Sequence, residues 1–187
     1  DRQGSGYAVS VKATQTVTGK VVANATERAS NKDQVLAGAP QLAEAVRTGL
    51  GDQPSESSKL FAMTSLSTTS FDVVREYAAA QEASSNNKFD EAIQHAAKSV
   101  ALDPKFGVGY QVLAFSSRNL GKVQDAEKYI REALKYLDGM TERERFSTRG
   151  MFYRITGDYQ QCVKEYGELI SRYAADVVGH NQRALCL

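Results

Sequence analysis

The sequence predicts a mainly α-helical protein made of a repeated pair of helices, with a small β-hairpin and helix ahead of it. The first observation behind this is a recurring segment. Asn87-Lys88-Phe89-Asp90-Glu91-Ala92-Ile93 returns as Gly121-Lys122-Val123-Gln124-Asp125-Ala126-Glu127 and again as Gly157-Asp158-Tyr159-Gln160-Gln161-Cys162-Val163. The second is its spacing: Ala92 and Ala126 stand 34 residues apart, Ala126 and Cys162 36 apart. Units of that length cannot bury their apolar face alone and do so by stacking on one another. The third is hydrophobic periodicity, which is helical throughout the repeats and alternating only near the amino terminus.

Each unit carries residue types with a physical purpose. A small residue at Ala92, Ala126 or Cys162 allows close approach of two helices, and Phe89, Val123 and Tyr159, three positions earlier, are expected to fill the adjoining space. The turn before them needs a residue that tolerates positive φ, supplied by Asn87, Gly121 and Gly157. Asp103-Pro104 closes the first unit, because proline cannot continue a helix.

This register predicts helices over Phe71–Asn86 and Asp90–Leu102, Val108–Leu120 and Val123–Leu137, then Thr141–Thr156 and Tyr159–Tyr173. Thr69, Ser70 and Asp72 are capping residue types at the first start, and Thr141-Glu142-Arg143-Glu144 has the spacing of a capping box. Asp176–Leu187 reads as the first helix of a fourth unit, with His180, Ala184 and Leu187 on its packing face. Lacking a partner helix, it is either part of an excised repeat or a terminal cap.

Ahead of the repeats, Tyr7–Ala13 alternates apolar and polar residues, Val17–Lys20 signals a turn, and Val21–Thr26 is a second strand-like run: a β-hairpin. Asp33–Leu50 then puts Leu36, Ala39, Leu42, Ala43, Val46 and Leu50 on one helical face, with Pro40 kinking the helix or starting its second part. A hairpin and one helix are marginal alone, so the segment reads as the tail of an α/β domain or as docking on the first repeat. The predicted organisation is therefore a hairpin-helix segment over 1–52, a linker over 53–70, and repeats over 71–187, divided as 71–104, 105–138, 139–175 and a partial 176–187. Within the linker, Leu60-Phe61-Ala62-Met63 either lies on a helix or belongs to a disordered tether.

The composition excludes several function classes. Lys+Arg 23 against Asp+Glu 22 gives a net charge of +1, with no basic stripe interleaved with aromatics, so nucleic acid is not the expected partner. No stretch has the apolar length of a membrane span and no signal peptide is visible, though the chain opens on Asp1 and that reading covers this stretch alone. Cytoplasm and periplasm both stay open, the latter if a membrane span lies upstream. Cys162 and Cys186 read as small buried fillers, His95 and His180 as lone histidines without a second metal ligand, and Asn24-Ala25-Thr26 as a sequon by pattern only. Gly4-Ser5-Gly6 and Gly107-Val108-Gly109 lack the third glycine of a phosphate loop. Glu142, Glu144, Glu165 and Glu168 read as helix-surface carboxylates, solvated or pairing with Arg143, Arg145 and Lys164. No nucleophile elbow or kinase motif occurs, so this stretch is expected not to be an enzyme and to need no cofactor.

The period, the small residues, the positive-φ turns and Asp103-Pro104 together resemble the tetratricopeptide repeat. The resemblance implies a right-handed superhelix of about three helix pairs plus a terminal helix. The order of parts, with Val46-Arg47-Thr48-Gly49-Leu50-Gly51, Thr68-Thr69-Ser70, Tyr77, and repeats holding Asp103-Pro104 and Thr141-Glu142-Arg143-Glu144-Arg145, is similar to the carboxy-terminal region of bacterial multidomain signalling proteins. In these a serine/threonine kinase or a transcriptional regulator domain precedes a TolB-like α/β segment and tetratricopeptide repeats. That likeness implies a regulatory or sensing part of a larger protein whose kinase, if there is one, lies outside this stretch.

In such repeats the first helix of each pair lines a concave face. The register places Tyr77, Gln81 and Ser84 there from the first unit, Gln111, Phe115 and Arg118 from the second, and Ser147, Met151 and Arg154 from the third. Two aromatics, a methionine, amides and two arginines suit peptide recognition. Tyr77 and Gln81 replace the lysine and asparagine of the co-chaperone clamp and Val112 another asparagine, which argues against a chaperone tail. The expected function is a protein-interaction scaffold binding a peptide or partner domain; the alternative is an intramolecular spacer packing on a kinase or DNA-binding domain. A binder should show a groove around Phe115 and Met151, a spacer its largest apolar patch at the ends. Arg118 and Arg154, 36 residues apart, should project from equivalent places and either hold an anion or each pair with a nearby glutamate.

Overall fold

The computed structural model describes residues 2–3, 6–51 and 70–187, the side chains of residues 2 and 3 excepted. The linker expected over 53–70 lies outside the described residues except for Ser70, as do Gly4, Ser5, Thr68 and Thr69. The chain forms two compact units that divide between Gly51 and Asp72.

In the first unit, β2 (Gly6–Thr14) and β3 (Val21–Ala29) form an antiparallel hairpin, with the two-residue β1 (Arg2–Gln3) on the other edge of β2. Ser10 faces Thr26 in the register, their hydroxyls 2.8 Å apart, and the pairing shifts at Ala13/Thr14. β3 runs three residues beyond the expected Thr26, because α1 (Ala39–Gly49) folds back on it and half-buries Ala25, Glu27 and Ala29. A 3-10 turn over Asp33–Gly38 leads into α1, so Pro40 starts the second part of the helix, in the first turn where a missing N–H costs nothing. The packed face is narrower than expected. Leu42 is buried and Leu36 and Val46 half-buried, whereas Ala39, Ala43 and Leu50 are exposed. Gly49 explains the rotation: a Cβ there would lie 2.3 Å from the Val22 carbonyl oxygen, so helix and strand meet at a residue without a side chain.

The second unit contains α2 (Phe71–Ser85), α3 (Phe89–Leu102), α4 (Gly107–Asn119), α5 (Val123–Leu134), α6 (Glu142–Thr156), α7 (Tyr159–Arg172) and α8 (Val177–Ala184). The pairs α2/α3, α4/α5 and α6/α7 are closed by one repeated turn. Asn87, Gly121 and Gly157 have φ of 59°, 74° and 84°. The following amide, of Lys88, Lys122 or Asp158, donates to the carbonyl of Ala83, Ser117 or Tyr153, at 2.9 Å in all three cases. This is the helix-ending bond of a left-handed cap, and its repetition makes the three hairpins alike.

Ala92, Ala126 and Cys162 are fully buried, as the close crossings require. Around them the core changes: Ala80, Ala83, Ala92, Ala96, Val112 and Leu113 cluster in the first interface, and Ala114, Ala126, Ile130, Ala133, Met140, Met151 and Ile155 in the next. Phe89 does pack, edge-on to Phe115 with centroids 6.2 Å apart. Val123 and Tyr159, which open their helices as Phe89 opens α3 and are expected to fill equivalent space, are instead half exposed. α5 stops at Leu134 rather than Leu137 and gives way to a 3-10 turn over Leu137–Gly139, which absorbs the longer spacing between the second and third pairs. α6 then starts on the expected capping box: the Thr141 amide donates to the Glu144 carboxylate at 2.8 Å, and the Glu144 amide to the Thr141 hydroxyl at 3.3 Å.

α8 packs on α7, but through a different face from the expected one. His180, Ala184 and Leu187 are exposed, while Gly179 and Cys186 are buried. A Cβ at Gly179 would lie 2.9 Å from Leu169, and Cys186 forms a disulfide with Cys162, Cα atoms 6.0 Å apart. The two cysteines are therefore bonded rather than passive fillers. Their 24-residue separation carries no signal by itself; it is the lateral packing of α8 on α7 that brings them within bridging range. Of the acidic residues, Glu168 stays on the helix surface as expected, beside Arg172 one turn on, and the other three differ in burial or partner. Glu144 is buried in its cap, Glu165 pairs with Arg149 at 2.8 Å, Glu142 pairs with Arg172, and Arg143 pairs with Asp176 at 2.7 Å, so the ion pairs cross between helices. No described helix is long and apolar enough to cross a membrane.

Candidate functional site

Within the second unit, residues spaced four and then three apart fall on one helical stripe. Such stripes run along α2 at Tyr77, Gln81 and Ser84, along α4 at Gln111, Phe115 and Arg118, and along α6 at Ser147, Met151 and Arg154. A cavity of about 300 Å³ lies over them. Its walls come from α2 (Tyr77, Gln81, Ser84), from α4 (Val108, Gln111, Val112, Phe115), from α6 (Arg143, Glu144, Ser147, Met151) and from α8 (Val178, Asn181, Gln182). The structure thus brings seven of the nine expected stripe residues together around one space. Arg118 and Arg154 follow on the same stripes, one turn past Phe115 and Met151, and are not among its walls.

The polar groups of the cavity are mostly held in place. Gln81 donates to the Tyr77 hydroxyl at 2.7 Å, and burial pushes that phenol above its ordinary pKa, with the Gln81 bond opposing. Gln111 donates to the Thr148 hydroxyl at 2.6 Å, which in turn donates to the Glu144 carbonyl at 2.8 Å. Arg143 is committed to Asp176, which also caps α8 by accepting from the Gly179 amide at 2.8 Å. The arrangement leaves an apolar centre at Phe115, Met151, Val108 and Val112 with a rim of fixed polar groups. The buried Oε1 of Gln182 accepts no hydrogen bond among the described residues.

Tyr166 of α7 also reaches the cavity, although it belongs to the second helix of its pair. It does so because Gly150 has no side chain: a Cβ there would sit 2.6 Å from the tyrosine ring. The phenol donates to the Ser147 carbonyl at 3.4 Å and is pushed well above the ordinary tyrosine range by burial, against the opposing charge of Arg154. The repeat register missed Tyr166, as it missed the α8 wall. The available signal was a glycine in the middle of α6 at the position that Ala80 and Ala114 hold in the preceding units.

Arg154 is 9 % exposed and its Nε has no hydrogen-bond partner. Burial lowers its pKa from the ordinary arginine value, and the charge of Arg118 adds to the fall. Neither arginine has a carboxylate partner among the described residues, so the own-chain pairing weighed from the sequence is not found. The histidines are accounted for by local bonds: His95 Nδ1 lies 2.9 Å from Glu76, and His180 Nε2 lies 3.0 Å from the Ala174 carbonyl.

No protein-family model and no curated protein matches the chain.

Proposed function

We propose that the helical unit is a tetratricopeptide-type interaction module that binds an extended peptide segment of a partner protein along the stripe of α2, α4, α6 and α8. The observation that carries this reading is the cavity between equivalent faces of four helices, apolar at Phe115 and Met151 and rimmed by oriented amides and hydroxyls. Such a surface offers pockets for side chains and fixed polar partners for a peptide backbone. The unpartnered Gln182 Oε1 is an acceptor suited to a backbone amide of the ligand. The repeat pattern and the order of parts support a place in a larger signalling protein, as its regulatory or sensing part, and no catalytic role for this stretch. The Cys162–Cys186 disulfide favours the periplasmic alternative, since such bridges persist in oxidising compartments.

The spacer reading has its own support in α8 and the residues just past it, where Val177, Leu185 and Leu187 are 69 %, 60 % and 89 % exposed. Selection of peptides from a random display library on the full chain separates the two. A binder enriches a sequence family that loses affinity for the Phe115→Glu protein by roughly tenfold or more. No enrichment, or equal binding to Phe115→Glu, would leave the spacer.

A further inference from the structure

The arginines of the helical unit divide into two groups. Arg75, Arg131, Arg143, Arg149 and Arg172 each hold a carboxylate. Among the described residues Arg118 and Arg154 hold none; Arg145 donates to the Met140 carbonyl instead, and Arg183, whose Nε is likewise buried without a partner, lies against Gly167 of α7, off the stripe. A buried guanidinium Nε–H without an acceptor is costly in a folded protein, and here a second positive charge lies close enough to act on the group. The two residues occupy equivalent positions on helices that pack together, on the stripes that carry Phe115 and Met151, so their side chains lead away from one end of the cavity.

A guanidinium offers hydrogen-bond donors along flat edges, and a carboxylate can accept on both oxygens at once. With less than a tenth of the Arg154 surface open, a flat group on a flexible stem reaches it more easily than a tetrahedral one. Taking the groove as a peptide site, as proposed above, we infer that its ligand carries an aspartate or glutamate whose carboxylate lies between Arg118 and Arg154, next to an apolar residue that enters the cavity at Phe115 and Met151. The ligand then supplies the negative charge that the protein lacks there, and the stripe reads its peptide in a fixed direction, acidic residue toward the turn end of α4 and α6.

The test uses the full chain and short fluorescent peptide pools with random flanks and one fixed central residue: glutamate, glutamine or phosphoserine. The glutamate pool is expected to bind roughly tenfold tighter than the glutamine pool, with the preference shrinking as salt is raised. Arg118→Gln, at a half-exposed position that tolerates substitution, should remove most of the preference, and Arg154→Gln should do the same where its melting curve shows it folded. Equal binding of the glutamate and glutamine pools, both weakened by Phe115→Glu, would overturn the carboxylate site and leave the groove reading intact. Stronger binding of the phosphoserine pool would overturn the carboxylate in favour of a phosphate. Binding by none of the pools would overturn both.

Discussion

The ring of Tyr166 occupies the space that a side chain at Gly150 would take, with Cε2 only 2.6 Å from where a Cβ would stand. Tyr166 is fully buried, so it has nowhere to retreat. Gly150→Ala should therefore overpack the third pair and cost about 1 to 3 kcal/mol. The same logic applies to Ala126→Leu in the second pair, where the small residue sits at a fully buried crossing. Denaturation midpoints equal to wild type would show that neither crossing is as close as described.

The bridge between Cys162 and Cys186 ties α8 to α7 across 24 residues. Cys186→Ser should lower stability by about 2 to 4 kcal/mol. Because α8 contributes Val178, Asn181 and Gln182 to the cavity, the same change should weaken peptide binding, and a reducing agent should reproduce it in wild type. A chain whose unfolding and binding are indifferent to reductant would show the bridge to be dispensable.

Arg154 gives a stability prediction opposite in sign to that of most buried positions. Replacing an unpaired buried charge by an apolar side chain of similar length removes its desolvation cost and the repulsion from Arg118, so Arg154→Met should be neutral or more stable by about 1 kcal/mol. Thermal unfolding without peptide measures it. A clear loss of stability would mean that the guanidinium supports the fold and not a ligand.

Glu76 and His95 lie 2.9 Å apart across the first pair. The hydrogen bond from His95, with a second from Arg75, holds the Glu76 carboxyl below its ordinary 4.5. A carboxylate lowered in this way stabilises the fold fully above the unfolded value and ceases to do so as pH falls through the folded one. Glu76→Gln should thus be less stable than wild type at neutral pH, with the difference closing below a pH of about 4.5. A gap that persists at lower pH would assign the effect to packing.

Much of this architecture was legible in the recurring segment. Asn87, Gly121 and Gly157 announced their turns because a positive φ admits few residue types, and Thr141 and Glu144 announced a cap because both partners lie within four residues. The stripe from Gln111 to Phe115 and from Ser147 to Met151 followed from the same register. What the sequence hid depends on contacts between helices. Tyr166 reaches the cavity only through the gap at Gly150, the cysteines meet only because α8 lies along α7, and Gly49 turns α1 by abutting a strand carbonyl. Apolar counting also misplaced the packed face of the last segment, since the buried residues there are Gly179 of α8 and the half-cystine Cys186 after it, while Leu185 and Leu187 face outward.

Site-specific photo-crosslinking shows whether ligand peptides lie along the stripe. A photoreactive residue at Gln81, on the cavity wall, should capture a selected peptide, while one at the exposed Lys128 of α5 should not. Capture at Gln81 that disappears with Phe115→Glu is the predicted result. Equal capture at Lys128, or capture only by a probe at Leu185 just past α8, would put binding outside the groove.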